Sequence, residues 1–346
     1  MATIPRASFG NLPIELVNLI MSYAAQPTFA QPDQYKAKNP YSTARKLCLV
    51  SRYVRRHVAL PEMLHTVLLD SRNKKAFVHA LRMQKEYAQT DSHLCFAYTS
   101  YIHNIWIGEF CPSPEYSFAH RSDGMFVRHS DLGLLAPVLL GAPSLAIDFA
   151  SMYFLTRCVE YVWTDMGEDT DHECSPPPWR TKTLTLLGNV TRPCPMTMFT
   201  SGSAFLASLA HLIVLPNSVG DVSLHVAGRA TGAVGPRDYN LPQWMAHAPW
   251  ALLKRLETVS LAFPCVELPL DTAEFSAGMN LQTELVTFPA SLVKGYRVPL
   301  EIKASTETGE GCIFLDDVRV VVSDTRVHFC IYCQEWEKVW ACGWPG

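Results

Sequence analysis

An apolar-x-x-apolar-x-apolar spacing recurs along much of the chain. Ile102, Ile105 and Ile107 carry it, as do Leu209, Leu212 and Val214, then Leu256, Val259 and Leu261, and finally Leu315, Val318 and Val320. Ala142, Leu145 and Ile147 fit with a small first residue, and Thr181 takes that place before Leu184 and Leu186. Residues two apart in a strand share a face, so the last two positions of each set belong to a short strand buried on one side. Between several sets lie apolar, helix-like stretches: DLGLLAPVLLGA, SGSAFLASLA and LPQWMAHAPWALLKRL. Parallel strands require such crossovers, because no tight turn can return the chain to the same strand direction. The pattern therefore predicts short parallel strands joined by helices.

With the middle positions 105, 145, 184, 212, 259 and 318 as markers, the intervals are 40, 39, 28, 47 and 59 residues. They are too irregular for a consensus repeat. An ordinary α/β domain whose strands share a buried pattern is one reading. The passage from helix to strand across Phe205 to Val214 recurs at Trp250 to Leu261, which favours an irregular leucine-rich-repeat-like α/β solenoid. From Pro299 the spacing tightens, and LEIKAS and VRVVVSD lie too close for a helical crossover. The end is predicted to be an antiparallel cap, as an open solenoid needs one. Strands on one face and variable loops around the rim would make a recognition platform.

The first eighty residues have a different period. In NLPIELVNLIMSYA, Leu12, Leu16, Ile20 and Tyr23 fall on one side of a 3.6-residue helix with Leu19 alongside, while Glu15, Asn18 and Ser22 face elsewhere. Pro13 suits the first turn, Asn11 can cap it, and Glu15 places a carboxylate near the free N–H groups. Pro27, Pro32 and Pro40 make the next stretch a loop. STARKLCLVSRYVRRHVA then predicts a helix capped by Ser42 or Thr43. Its apolar stripe is Leu47, Val50, Val54 and Val58, Arg45, Arg52 and Arg56 lie on another face, and Pro61 ends it. SRNKKAFVHALRMQKEYAQ, from Ser71, reads as a further helix.

Two amphipathic helices could simply pack on each other. The run NLPIELVNLI followed by LCLVSRYVRRHVALPEMLHTVLL, however, resembles the F-box, and looks most like the F-box-like proteins numerous in mushroom-forming fungi. The resemblance covers about the first fifth of the chain, and it departs from the family in the long insert 24–42. It divides the chain into an all-α F-box-like module at 11–69 and the α/β region at 70–346 with its C-terminal cap. It implies docking to the small linker subunit of a Skp/cullin/F-box ubiquitin ligase, with a protein substrate held by the rest of the chain. Carried over by position, the candidate partner contacts are Leu12, Pro13, Leu16, Ile20, Leu47, Val50 and Val54. The competing assignment gives the same side chains to the module's own core. A scaffold acting outside any ligase, or an enzyme with a site assembled from distant residues, are the alternative functions.

Composition sets the remaining bounds. A chain of 346 residues, 48% hydrophobic, can bury a large core. Its net charge of −3 gives no global field for nucleic acid or an anionic membrane, and neither is expected as a partner. Eleven scattered cysteines, with no signal-like N-terminus, predict reduced thiols in the cytoplasm or nucleus. The uncharged run Leu132 to Ile147 is interrupted by glycine and proline and is short for a bilayer. Apart from its partners, the chain is expected to be a monomer.

Chemistry-bearing motifs are weak. Cys330, Cys333, Cys342 and His328 invite zinc, but there is no second ligand pair of the usual spacing, and Cys330 follows an apolar run. His172, Glu173 and Cys174 sit in an acidic loop read as a solvated excursion. The glycines of AGRATGAVGPRDY lack phosphate-loop or dinucleotide spacing and read as a connection. Trp336, Trp340 and Trp344 make either an aromatic stripe or, by preference, the buried side of a terminal helix. Arg52, Arg55 and Arg56 read as a solvated helix face. No catalytic residue, metal or cofactor is assigned.

Overall fold

The computed structural model describes residues 12–28, 40–70, 73–108, 129–148, 151–165, 176–187, 195–215, 237–240, 248–265, 280–291, 301–304, 319–328 and 340. Four short helices come first: α1 (Ile14–Ala25), α2 (Ser42–Leu47), α3 (Arg52–Val54) and α4 (Leu60–His65). Strands and helices then alternate: β1 (Thr66–Leu69), α5 (Lys74–Gln89), β2 (Asn104–Ile107), α6 (His129–Gly141), β3 (Ser144–Asp148), α7 (Met152–Asp165), β4 (Thr183–Leu187), α8 (Thr200–Ser208) and β5 (His211–Leu215). Five strands complete the order: β6 (Arg237–Asn240), β7 (Thr258–Cys265), β8 (Asn280–Pro289), β9 (Glu301–Ala304) and β10 (Arg319–His328). The fold is α/β. Its main sheet has eight strands in the order β1-β2-β3-β4-β5-β7-β8-β10, so each lies beside its predecessor within that sheet.

From β1 to β7 every pairing is parallel, and the markers stand in one line. Val67 faces Ile105, Ile105 faces Leu145, Leu145 faces Leu184, Leu184 faces Leu212, and Leu212 faces Val259. The residue two before each marker makes the entry to its strand uniform. There the carbonyl of Pro143 accepts from the N–H groups of Lys182 and Thr183, that of Lys182 from Ala210 and His211, and that of Ala210 from Glu257 and Thr258. Pro143 has no N–H to give, and the β2–β3 step accordingly uses Ser144 N alone, bonded to the carbonyl of His103. Unequal crossovers thus converge on one backbone geometry.

Three residues before each marker, Ile102, Ala142, Thr181, Leu209 and Leu256 are all buried. Thr181 belongs in that apolar row because its hydroxyl donates to the carbonyls of Leu140 and Ala142, at 3.2 and 2.9 Å. The markers share a continuous core with Leu132, Leu135 and Leu139 of α6, Leu155 and Val159 of α7, and Phe205 of α8. Consecutive helices pack on one another along this side of the sheet. Alternation sends Leu68, Trp106, Ala146, Thr185, Ile213 and Ser260 to the other side. There Trp106, Ala146, Thr185, Ile213 and Ser260 are buried too. Trp340 packs on Trp106 with ring centroids 5.5 Å apart. The strand face is therefore not the open platform that the spacing predicts.

Several expectations need correction beyond β5. LPQWMAHAPWALLKRL yields no helix among its described residues: from Pro249 to Leu256 the chain makes successive tight turns, including Leu252 N to Pro249 O at 2.9 Å, that bury Leu253 and Leu256. β8, in NLQTELVTFP, was not foreseen, since Leu285, Val286 and Phe288 are buried alike and its period of two is blurred. The antiparallel part begins with β8, not after Pro299. Val320 pairs with Val286 on β8 and leaves the parallel marker line. β9 pairs antiparallel with β6 in a separate two-stranded sheet, so the end of AGRATGAVGPRDY is a strand rather than a connection. Leu315 and Val318 lie outside the described residues.

Gly202, in the first turn of α8, is the tightest point of the helix layer. A Cβ there would stand 2.1 Å from the carbonyl oxygen of Met196 and 2.9 Å from its Cα, in the turn Pro195–Met198. Backbone cannot swing aside as a side chain can. Gly202→Ala is therefore expected to lower stability by about 2–4 kcal/mol, despite alanine's better helix propensity, as measured by urea unfolding followed by tryptophan fluorescence.

Candidate docking surface

The N-terminal helices reach the sheet without a linker, for α4 ends at His65 and β1 begins at Thr66. α1 starts later than its sequence suggests, at Ile14. Pro13 is the residue before the helix, in an extended conformation, and its carbonyl accepts from Val17 N at 3.1 Å. Asn11 lies outside the described residues. The insert is pinched at its base, where Thr28 N donates to the carbonyl of Pro40 at 3.1 Å.

The second helix of the sequence analysis is broken in two. α2 stops at Leu47, and Ser51 begins α3 by accepting from Val54 N on its side-chain oxygen at 3.1 Å. Pro61 does not end this helix. Arg55–Ala59 winds as a π turn in which Leu60 N bonds to Arg55 O, five residues back. The wider turn loosens the backbone just ahead of the proline ring, so the helix continues to His65.

α1 packs on α2, on the π turn and on α4. Ala25, Ala44 and Ala59 are fully or almost fully buried, and such small side chains let helix backbones approach closely. The inward side of α1 is Val17, Asn18, Met21, Ser22 and Ala25. Asn18, expected to face elsewhere, donates from Nδ2 to the Tyr53 hydroxyl at 3.0 Å, tying α1 to α3. Its Oδ1 is buried without a hydrogen-bond partner among the described residues. Asn18 and Ser22 thus share the inner side with Val17, Met21 and Ala25, and the stripe Leu16, Leu19, Ile20 and Tyr23 is turned outward.

Ile14, Leu16, Leu19, Ile20 and Tyr23 are exposed, Leu16 and Ile20 at 46% each. Beyond α2, Leu49 is 86% exposed and Val50 61%, with Tyr53 also exposed. These residues are eight of the thirteen large apolar side chains exposed among the described residues. Of the seven candidate contacts, Pro13, Leu16, Ile20 and Val50 are exposed, while Leu12 and Leu47 are half-buried. Val54 is different. At 7% exposure, on the first turn of α3, it belongs to the unit's interior and cannot meet a partner directly. Sequence reasoning passed over Ile14, Leu49 and Tyr53. Leu49 and Val50 stand out because they follow the break in the helix, where no neighbouring turn covers them.

Where this unit meets the sheet, His65 and His103 occupy equivalent places two residues before their markers. Their rings stack at 4.9 Å, and His103 N donates to His65 O at 3.2 Å. Tyr41 anchors the unit from α2's side, its hydroxyl donating to the carbonyl of Thr66 at 2.7 Å, and burial raises its pKa. Burial also lowers the pKa of His65, and the neighbouring His103 adds to this, against the opposing carboxylate of Glu62. Among the described residues no three His, Cys, Asp or Glu side chains converge as a metal site. Cys48, Cys95 and Cys158 are free thiols. Cys330, Cys333, Cys342 and the His172–Cys174 group lie outside the described residues. Among the described residues, no helix is long and apolar enough to cross a membrane. Comparison with protein-family models, with curated proteins and with solved structures finds no match.

A histidine whose folded pKa lies below the unfolded value of 6.5 favours the neutral form of the fold. Above that value neither state holds the proton, and the fold keeps its full stability. As pH falls below it the unfolded chain takes up a proton first, and stability declines. Urea midpoints are thus expected to fall between about pH 7 and pH 5, with a shallower fall in His65→Gln.

Proposed function

We propose that this chain is a non-catalytic protein-binding adaptor, the substrate-recognition subunit of a Skp/cullin/F-box-type ubiquitin ligase. Its helical unit, α1 to α4, is F-box-like and docks the small linker subunit, and the α/β region holds a protein substrate. The observation that carries the reading is the outward-facing stripe Ile14, Leu16, Leu19, Ile20 and Tyr23, continued by Leu49, Val50 and Tyr53. Concentrated exposed apolar surface marks an interaction site, because covering it releases water and stabilises the complex. The F-box resemblance of the same segment selects the partner.

The α/β region is read as an irregular leucine-rich-repeat-like solenoid, supported by its sequential strand order, aligned markers and recurrent entry hydrogen bonds. Because both faces of its central strands are buried, the substrate is assigned to the loops and ends of the solenoid rather than to the sheet. The mechanism is proximity: a substrate lysine held near a charged conjugating enzyme gains effective concentration without chemistry from this chain.

Co-purification with the linker subunit tests the reading. Wild-type protein is expected to retain it, and Leu16→Arg and Ile20→Arg to lose at least about tenfold in affinity, since each places a charge in a desolvated contact. Both residues are exposed, so thermal melting should change little. Equal retention of the linker by all three proteins would refute docking at this face.

A further inference from the structure

The apolar stripe is bordered by positive charge that the chain as a whole does not share. Among the described residues from 12 to 65 there are five Lys and Arg, namely Arg45, Lys46, Arg52, Arg55 and Arg56, against the carboxylates Glu15 and Glu62, while the full chain carries −3. Two of the five are engaged within the chain: Arg56 donates to the carbonyl of Cys95 at 3.3 Å, and Arg55 is half-buried beside the Cys48 thiol. Arg45, Lys46 and Arg52 are exposed and have no carboxylate partner among the described residues.

These three flank the most exposed apolar pair. Leu49 N bonds to the carbonyl of Lys46 and Val50 N to that of Leu47, which folds the chain back directly after α2. Arg52 follows Val50 by two residues, and the neighbouring Tyr53 is bonded to Asn18 of α1. Cations and apolar side chains thus form one surface across α1, the 48–50 turn and α3. A solvated helix face would need cations alone, whereas here Arg45 and Lys46 precede, and Arg52 follows, the exposed Leu49 and Val50, which water solvates poorly.

From this arrangement we infer that the docked subunit presents an apolar centre edged with carboxylates, and that Arg45, Lys46 and Arg52 steer its approach. The inference rests on the adaptor reading and adds the charge of the partner's surface. Charges at the rim of an interface act chiefly on the association rate and its salt dependence, while apolar anchors at the centre govern dissociation.

The test is stopped-flow binding of the Skp-type linker subunit to full-length protein at about 50 and about 500 mM salt. Arg45→Glu/Lys46→Glu/Arg52→Glu is compared with Lys182→Glu/Lys254→Glu/Arg255→Glu, which alters the same charge at exposed positions elsewhere. For the first variant, association should slow by about tenfold or more at low salt and approach the wild-type rate at high salt, with dissociation changed far less. The second should resemble wild type. Equal slowing in both variants, or in neither, overturns the inference and leaves the adaptor reading standing. Failure of wild-type protein to bind the linker at all overturns both. If thermal melting shows that the triple variant has unfolded, Arg52→Gln decides: a weaker salt dependence supports steering, and an unchanged one rejects it.

Discussion

The architecture depends on the hydrogen bonds that admit each strand to the sheet. Crossovers of very different length all end with the same carbonyl, two residues before a marker, accepting from the start of the next strand. This fixes register one residue before the apolar positions enter the core. A slip by one would turn every marker to the opposite side of the sheet and strand its partners among mismatched neighbours. With register set in the backbone, the helices are free to vary, and they do: α6 is apolar nearly all round with Pro137 inside it, whereas α5 buries only Val78 and Leu81.

Burial on both faces of the sheet has a functional consequence. Parallel strands are most stable when covered on both sides, and here the row from Trp106 to Ser260 is closed as completely as the marker row. One cost is visible in Thr185, whose Oγ1 is buried with no hydrogen-bond partner among the described residues. Closure of the sheet leaves the N-terminal helices as the largest concentration of exposed apolar side chains among the described residues. Under the proposed function, the α/β region would offer its loops while the helical unit offers a constant face.

The parallel strands were legible because their signal lay in spacing. Two apolar places recur in each parallel strand from β2 to β7 even though the intervals between their markers run from 28 to 47 residues. What failed to show were features that depend on partners distant in sequence. β8 buries consecutive residues because both faces of the sheet are covered there, and its place between β7 and β10 is set by pairings that its own sequence does not encode. In the N-terminal helices the stripe was visible, but its direction was not, for helical periodicity is the same whether a stripe faces in or out. Direction was decided by Ala25, Ala44 and Ala59, by the Asn18–Tyr53 bond, and by the break at Ser51 that buries Val54 and leaves Val50 bare.

The orientation of α1 also leaves a physical cost on each side of the helix. Leu16 and Ile20, each worth about 1.5–3 kcal/mol when fully buried, stand about half exposed, while Val17, Met21 and Ala25 share the inner side with Asn18 and Ser22. The fold retains an amide with a buried, unbonded oxygen on the inside, an arrangement that ordinarily costs about 1–3 kcal/mol. A second polypeptide closing over Leu16, Ile20, Leu49 and Val50 would bury that surface, which is the physical basis of the docking proposed for this unit.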